Sequence, residues 1–235
     1  MPDAKPPESP SLDPDQDKST LAPLRRPVFR MLWTTWLMAN VCMWMNDVAA
    51  AWMMTSLTTT PIWVALVQTA STLPVFLLGL PSGALADIVD RRRYLILAQL
   101  WMLLVASTLA VLAHLDRLGP WTLVTLTFAL GIGAAMAMPA QQATTPELVP
   151  KPMLGPAVAL GSLSMNIARA IGPALGGLIV AQAGIAWAFA VNALTFLGVA
   201  VVLWRWRRTP CCSPAAGGAP GHGHPSAGRM HGSSF

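Results

Sequence analysis

The sequence predicts an all-α integral membrane protein with six transmembrane helices, and three observations lead there. Only 11% of the 235 residues are charged while 54% are hydrophobic, whereas a soluble domain carries charge on roughly a quarter of its positions. Such a chain cannot cover a water-facing surface, so a bilayer is the simpler solvent. Six apolar runs each reach the roughly 20 residues that a hydrocarbon core requires. The basic residues gather on alternate connections between those runs, as a spanning topology demands.

The runs follow one another along the chain. The first, over residues 31–57, carries Asp47 within WMNDVA and is long enough to tilt. The second, over 62–86, ends Leu80-Pro81-Ser82-Gly83-Ala84-Leu85. The third, over 94–115, reads YLILAQLWMLLVASTLAVLAHL and contains no Asp, Glu, Lys or Arg. The fourth covers 121–141, the fifth 154–183 and the sixth 185–204. A buried soluble helix can imitate one such run, but not six in succession.

Charge then fixes orientation. Lys5, Lys18, Arg25, Arg26 and Arg30 precede the first run, and Arg91, Arg92 and Arg93 sit between the second and third. Lys151 lies between the fourth and fifth, and Arg205, Arg207, Arg208 and Arg229 follow the sixth. Arg117 is the one basic residue of the opposite side, and Arg169 lies inside a span. The positive-inside rule therefore places both termini in the cytoplasm of a cell (inner) membrane protein. Trp63, Trp121 and Trp187 fall at the outer interface, and Trp33, Trp204 and Trp206 at the inner one, where an aromatic belt belongs. The net charge of +5 reads as topology and attraction to anionic lipid. No basic stripe is interleaved with stacking aromatics, so a nucleic-acid partner is not expected.

Three domains result. Residues 1–27 are rich in Pro, Asp and Ser without the apolar centre of a signal peptide, and form a disordered cytoplasmic tail. Residues 28–208 form the six-helix transmembrane domain, and 209–235 a low-complexity cytoplasmic tail. His222, His224 and His231 belong to that solvated tail, and neither a metal nor a cofactor is expected. Cys42 lies in the first span and Cys211 and Cys212 in the tail, so no disulfide framework forms. Catalysis is not expected either: Gly161-Ser162-Leu163-Ser164 lacks the Gly of a membrane serine protease site, and there is no CxxC, HExxH or phosphate-binding loop.

Two motifs carry functional meaning. The second loop, GALADIVDRRR (83–93), has Gly83 at a helix end, Asp87 at the membrane edge and arginines opening the next helix beside lipid headgroups. Read from the residues alone, it is a polar turn with positive-inside arginines. The fifth run contains ARAIGPALGG, in which Pro173 removes one intrahelical bond and Gly172, Gly176 and Gly177 give a small-residue face for close helix contact.

The first stretch resembles the signature loop of the major facilitator superfamily: Gly, three residues, Asp, a basic residue, any residue, Gly, then Arg or Lys. Gly83, Asp87, Arg91 and Arg92 match, while Ile88 and Asp90 depart from it. The second is similar to the antiporter motif of proton-coupled facilitator exporters, with Ala168 in place of its first glycine. The segment PAQQATTPELVPKPMLGPAVALGSLSMNIARAIGPALGG also looks like the enterobactin-exporter branch, and the resemblance covers roughly residues 29–207. It implies one half of a major facilitator fold: two three-helix inverted repeats, with substrate held against a second six-helix half. The Pro/Gly interruptions near Pro81 and Pro173 are what such a repeat would leave. The activity implied is proton-coupled export of a small hydrophobic or amphipathic molecule. The lipid bilayer and that molecule are then the partners, with a second copy or a separate half-chain completing the carrier; a truncated reading frame or a regulatory membrane protein is the alternative.

Two charges lie within the apolar runs. Asp47 and Arg169 would each cost about 2.5–3.5 kcal/mol at a helix centre, so they should face the bundle interior. Asp47 is 17 residues beyond Arg30, and Arg169 is 16 beyond Met153, which places them about 25 Å and about 24 Å along their helices, at similar depth. Asn40 shares a stripe with Asp47; Ser162, Asn166 and Arg169 share one with Gly172 and Gly176; Gln68 and Thr72 make a polar patch on the second helix. The expectation is that Asp47 and Arg169 pair across a cavity and that protonating Asp47 loosens the pair.

Overall fold

In a computed structural model, residues 21–88 and 90–205 are described. Residues 1–20 and 206–235, with the three histidines, Cys211, Cys212 and Trp206, lie outside them, whereas residues 21–27 of the expected disordered tail are ordered, with a 3-10 helix over Ala22–Arg25. Among the described residues there are six long helices: α1 (Pro27–Leu57), α2 (Pro61–Ile88), α3 (Arg91–His114), α4 (Pro120–Leu148), α5 (Leu154–Ala183) and α6 (Ile185–Arg205). In a bilayer the backbone must satisfy its own hydrogen bonds, which is why apolar runs of this length fold as helices.

Punctuation between the helices is local. Prolines open α1, α2 and α4, where a missing N–H is of no consequence. Asp90 caps α3, its Oδ1 accepting from Arg92 N at 2.9 Å. Gly184, at φ 93°, turns α5 into α6 through a single residue, a backbone that L side chains rarely adopt. A 3-10 turn, Lys151–Met153, joins α4 to α5.

Five helices, α2 to α6, are long and apolar enough to cross a membrane. The sequence-based count of six spans is thus met by five on composition. Although α1 has 31 residues, Asn40, Asn46, Asp47 and a series of Ser and Thr dilute its apolar character. The fourth run also ends later than expected, because α4 continues as helix through Pro139 and Pro146 to Leu148. Its last turns are polar, so apolarity alone places the end too early.

The helices pack most extensively as α2 on α4, α1 on α5 and α3 on α6. The core runs along those seams, with Leu95, Leu109, Phe189 and Leu203 almost wholly enclosed. By contrast α2 and α5 turn broad apolar faces outward, with Phe76 86% and Leu178 50% exposed.

The α1–α5 seam depends on two glycines. A Cβ on Gly172 would lie 2.6 Å from Trp44 Cβ and 2.9 Å from the Val41 carbonyl, and one on Gly176 would lie 3.0 Å from the Met45 carbonyl. Gly83 and Gly177 differ: nothing else in the described chain comes within 4 Å of a Cβ placed there. A close approach of another backbone, which a glycine at a helix end permits, is thus not made at Gly83 among the described residues. Gly172→Ala should destabilise the fold by about 1–3 kcal/mol through overpacking, read as a lower melting temperature in detergent, whereas Gly177→Ala should leave it nearly unchanged.

Candidate functional site

A cavity of about 530 Å³ opens between α1, α2 and α5. Its α1 wall is Trp44, Asp47, Val48, Ala51, Trp52 and Thr55, residues that recur at helical spacing. Helix α2 contributes Gln68, Ser71 and Thr72, and α5 contributes Pro173. Aromatic walls with a few polar groups and a single carboxylate are the usual composition of a small-molecule site.

The expected site residues divide. Asp47 and Gln68 line the cavity. Asn40 is half-buried and Asn166 exposed, its side-chain amide donating to the Ser162 carbonyl one turn back at 3.0 Å; neither reaches the cavity. The equal depth expected from counting along each helix is not met. Trp33 bonds to Leu160, and Gly172 and Gly176 pack on Val41 to Met45. Asp47 therefore lies about two turns beyond Arg169, and the two do not pair. The Arg169 guanidinium lies over the Trp44 ring, 5.2 Å from the centroid, and no hydrogen bond or ion pair among the described residues reaches the Asp47 carboxylate. The indole stands where the carboxylate was expected. A cation over a Trp face is itself stabilising by about 0.5–2 kcal/mol.

The stripe on α5 is corrected as well. Ser162, Asn166 and Arg169 are exposed and lead on to Pro173, whereas Ala168, Gly172 and Gly176 form a separate, buried row against α1. A straight run at i, i+4, i+7, i+11 ends on the proline, not on the glycines.

Three features escaped the sequence reading. Trp44 and Trp52 line the cavity, and Trp44, in the middle of the first run, was the available signal. Asn192 Nδ2 donates to Asn46 Oδ1 at 3.0 Å across the buried α1–α6 seam, and Cys42 Sγ lies 3.1 Å from Thr195 Oγ1 on the same seam. Third, Gly131 packs against α2, where a Cβ would fall 2.8 Å from the Ser71 carbonyl.

At the end of the bundle that holds the α2–α3 loop, Arg91 and Arg92 tie helices together. Arg91 Nη1 donates to the Ala143 carbonyl of α4 at 2.8 Å. Arg92 Nε donates to the Leu203 carbonyl of α6 at 3.0 Å, and its Nη2 donates to Trp204 O. The Leu203 and Trp204 carbonyls, in the last turn of α6, lack intrahelical donors and attract cations. The departure of Asp90 from the signature pattern also acquires a reason, since it caps α3. Asp87 is in the last helical turn of α2, and its side chain lies outside the described residues.

Together these features define a polytopic helical membrane protein with an aromatic, acid-bearing cavity among its helices. The family model described as transmembrane secretion effector matches residues 18–216. The chain belongs to that family, a branch of the major facilitator superfamily of membrane transporters. It is 31% identical over 144 residues to the uncharacterized MFS-type transporter YfiS of Bacillus subtilis, covering 61% of this chain and 33% of that one. It is 29% identical over 161 residues to the staphyloferrin A transporter of Staphylococcus aureus, covering 68% and 40%. Macrolide efflux protein A of Enterococcus faecalis is 31% identical over 107 residues, covering 46% and 33%. Matches thus span about a third to two fifths of the length of these relatives.

Two tests follow from the geometry. In a double-mutant cycle of melting temperatures, Trp44→Leu and Arg169→Gln should couple by about 0.5–2 kcal/mol, the cation–π contribution; Asp47→Asn and Arg169→Gln should be nearly additive. Arg92→Gln should cost about 1.5–3 kcal/mol, the range for hydrogen bonds to a charged group, and Arg92→Lys should recover only part because it lacks the planar fork.

Proposed function

We propose that the chain is a six-helix unit of a proton-coupled exporter of a small hydrophobic or amphipathic molecule. The observation that carries this reading is Asp47, a carboxylate without a charged partner among the described residues, lining the cavity together with Trp44 and Trp52. The apolar part of a substrate would lie against Trp44 and Trp52, and proton uptake on Asp47 would alternate with substrate binding. This places a membrane charge where such charges are normally functional.

The helix pairing supports two inverted three-helix repeats. If α1, α2 and α3 are exchanged with α4, α5 and α6, the α2–α4 pair becomes the α5–α1 pair and α3–α6 maps onto itself; these are the three main seams. With α1 counted as the sixth span, both termini lie in the cytoplasm of the inner membrane. A reporter fused after Arg208 that works only outside the cytoplasm would contradict that orientation.

A second six-helix unit would cover the outward faces of α2 and α5 and close the cavity. It could be a further part of a longer chain, a separate half-chain or a second copy. The six-helix chain by itself should therefore transport poorly. In proteoliposomes loaded with a fluorescent amphipathic dye, the complete carrier should extrude dye down an imposed proton gradient, and Asp47→Asn should abolish gradient-driven movement. Full gradient-driven transport by the Asp47→Asn carrier would remove the central residue from the reading.

A further inference from the structure

Behind the open cavity lies a second, much smaller one of about 30 Å³, walled by α1, α2, α3, α4 and α6. Asp47 and Ser71 line both cavities. Its polar lining otherwise comes from Asn46, Thr127 and Asn192. Each of these three is at most 5% exposed, and Thr127 and Asn192 are each 1% exposed.

Hydrogen-bond accounting is incomplete there. Asn192 spends an N–H on Asn46, which leaves Asn192 Oδ1 without a donor. Thr127 Oγ1 has no partner either. Unlike many threonines in these helices, it does not donate to the carbonyl one turn before it. An unpaired buried polar group costs about 1–3 kcal/mol, and here two such atoms line one cavity on different helices.

We propose that this inner cavity binds water, which bridges Asp47 to Thr127 on α4 and to the asparagine pair of α1 and α6. The volume exceeds the roughly 10–15 Å³ that one water requires, and the 2–4 polar partners that a buried water needs are present. A water is amphoteric: it donates to Asn192 Oδ1 and either accepts from or donates to the Thr127 hydroxyl. It donates to Asp47 when the carboxylate is ionised and accepts from it when the carboxyl is protonated. The charge state of Asp47 is thereby reported to α4 and α6, which do not line the outer cavity. The use of the bridge by Asp47 rests on the transport reading above; hydration itself does not, and it is measured without transport.

Synchrotron hydroxyl-radical footprinting of the purified chain provides the test, because radicals formed on a bound water oxidise the side chains beside it. Met102 lines the inner cavity and is 5% exposed, whereas Met54 lies outside it at 0%. Met102 should be oxidised several-fold faster than Met54. Thr127→Val should bring it down towards the Met54 rate and lower the melting temperature, and Thr127→Ser should keep the wild-type pattern. If the cavity were dry, Thr127→Val would delete an unsatisfied hydroxyl and leave stability equal or higher. That result, or a Met102 rate no greater than that of Met54, would overturn the proposal.

Discussion

The close approach of α1 and α5 is the constraint on which the site depends. In a bilayer the lipid tails are as apolar as the side chains, so helices associate through packing at small residues rather than by escape from solvent. Gly172 and Gly176 supply that surface, and the backbone of α1 at Val41 and Met45 fills it. This seam fixes the rotation of α1. Once it is fixed, Trp44 reaches Arg169, and Asp47 turns towards α2 and Pro173. The cavity is thus a consequence of helix packing rather than of a loop folded over a cleft.

The end of the bundle at the α2–α3 loop follows a related rule, that helix termini must find partners. Asp90 meets the need at the start of α3 and Arg92 at the end of α6, while Arg91 ties α3 to α4 through the Ala143 carbonyl. Charge collects on one short loop because several helix ends converge there. The residues that the positive-inside rule reads as orientation are also ties between helices.

Much of this was legible in the sequence, for identifiable reasons. The order of the helices follows from the apolar runs, five of which are long and apolar enough to span. The relative depth of Asp47 and Arg169 did not follow from counting along each helix, because the α1–α5 packing sets the register between them. The α5 glycines could be assigned to a contact because only small residues let backbones approach. Which side chain Arg169 meets was not legible. A guanidinium is satisfied by a carboxylate or by an indole face, and the choice rests on the register of α1 against α5, which brings Trp44 rather than Asp47 to Arg169. The Asn46–Asn192 pair was hidden for a similar reason, since each asparagine alone is an unremarkable polar residue in a span and only the α1–α6 seam brings them together.

Carbodiimide labelling of intact membranes, followed by peptide mass spectrometry, tests the placement of Asp47 most directly. The reagent enters apolar sites and traps a protonated carboxyl. In the wild-type chain the adduct is expected on Asp47, and a bulky amphipathic cation added beforehand should slow its formation. Absence of an adduct on Asp47 at acidic pH, with the fold intact, would contradict a carboxyl open to the cavity between α1, α2 and α5.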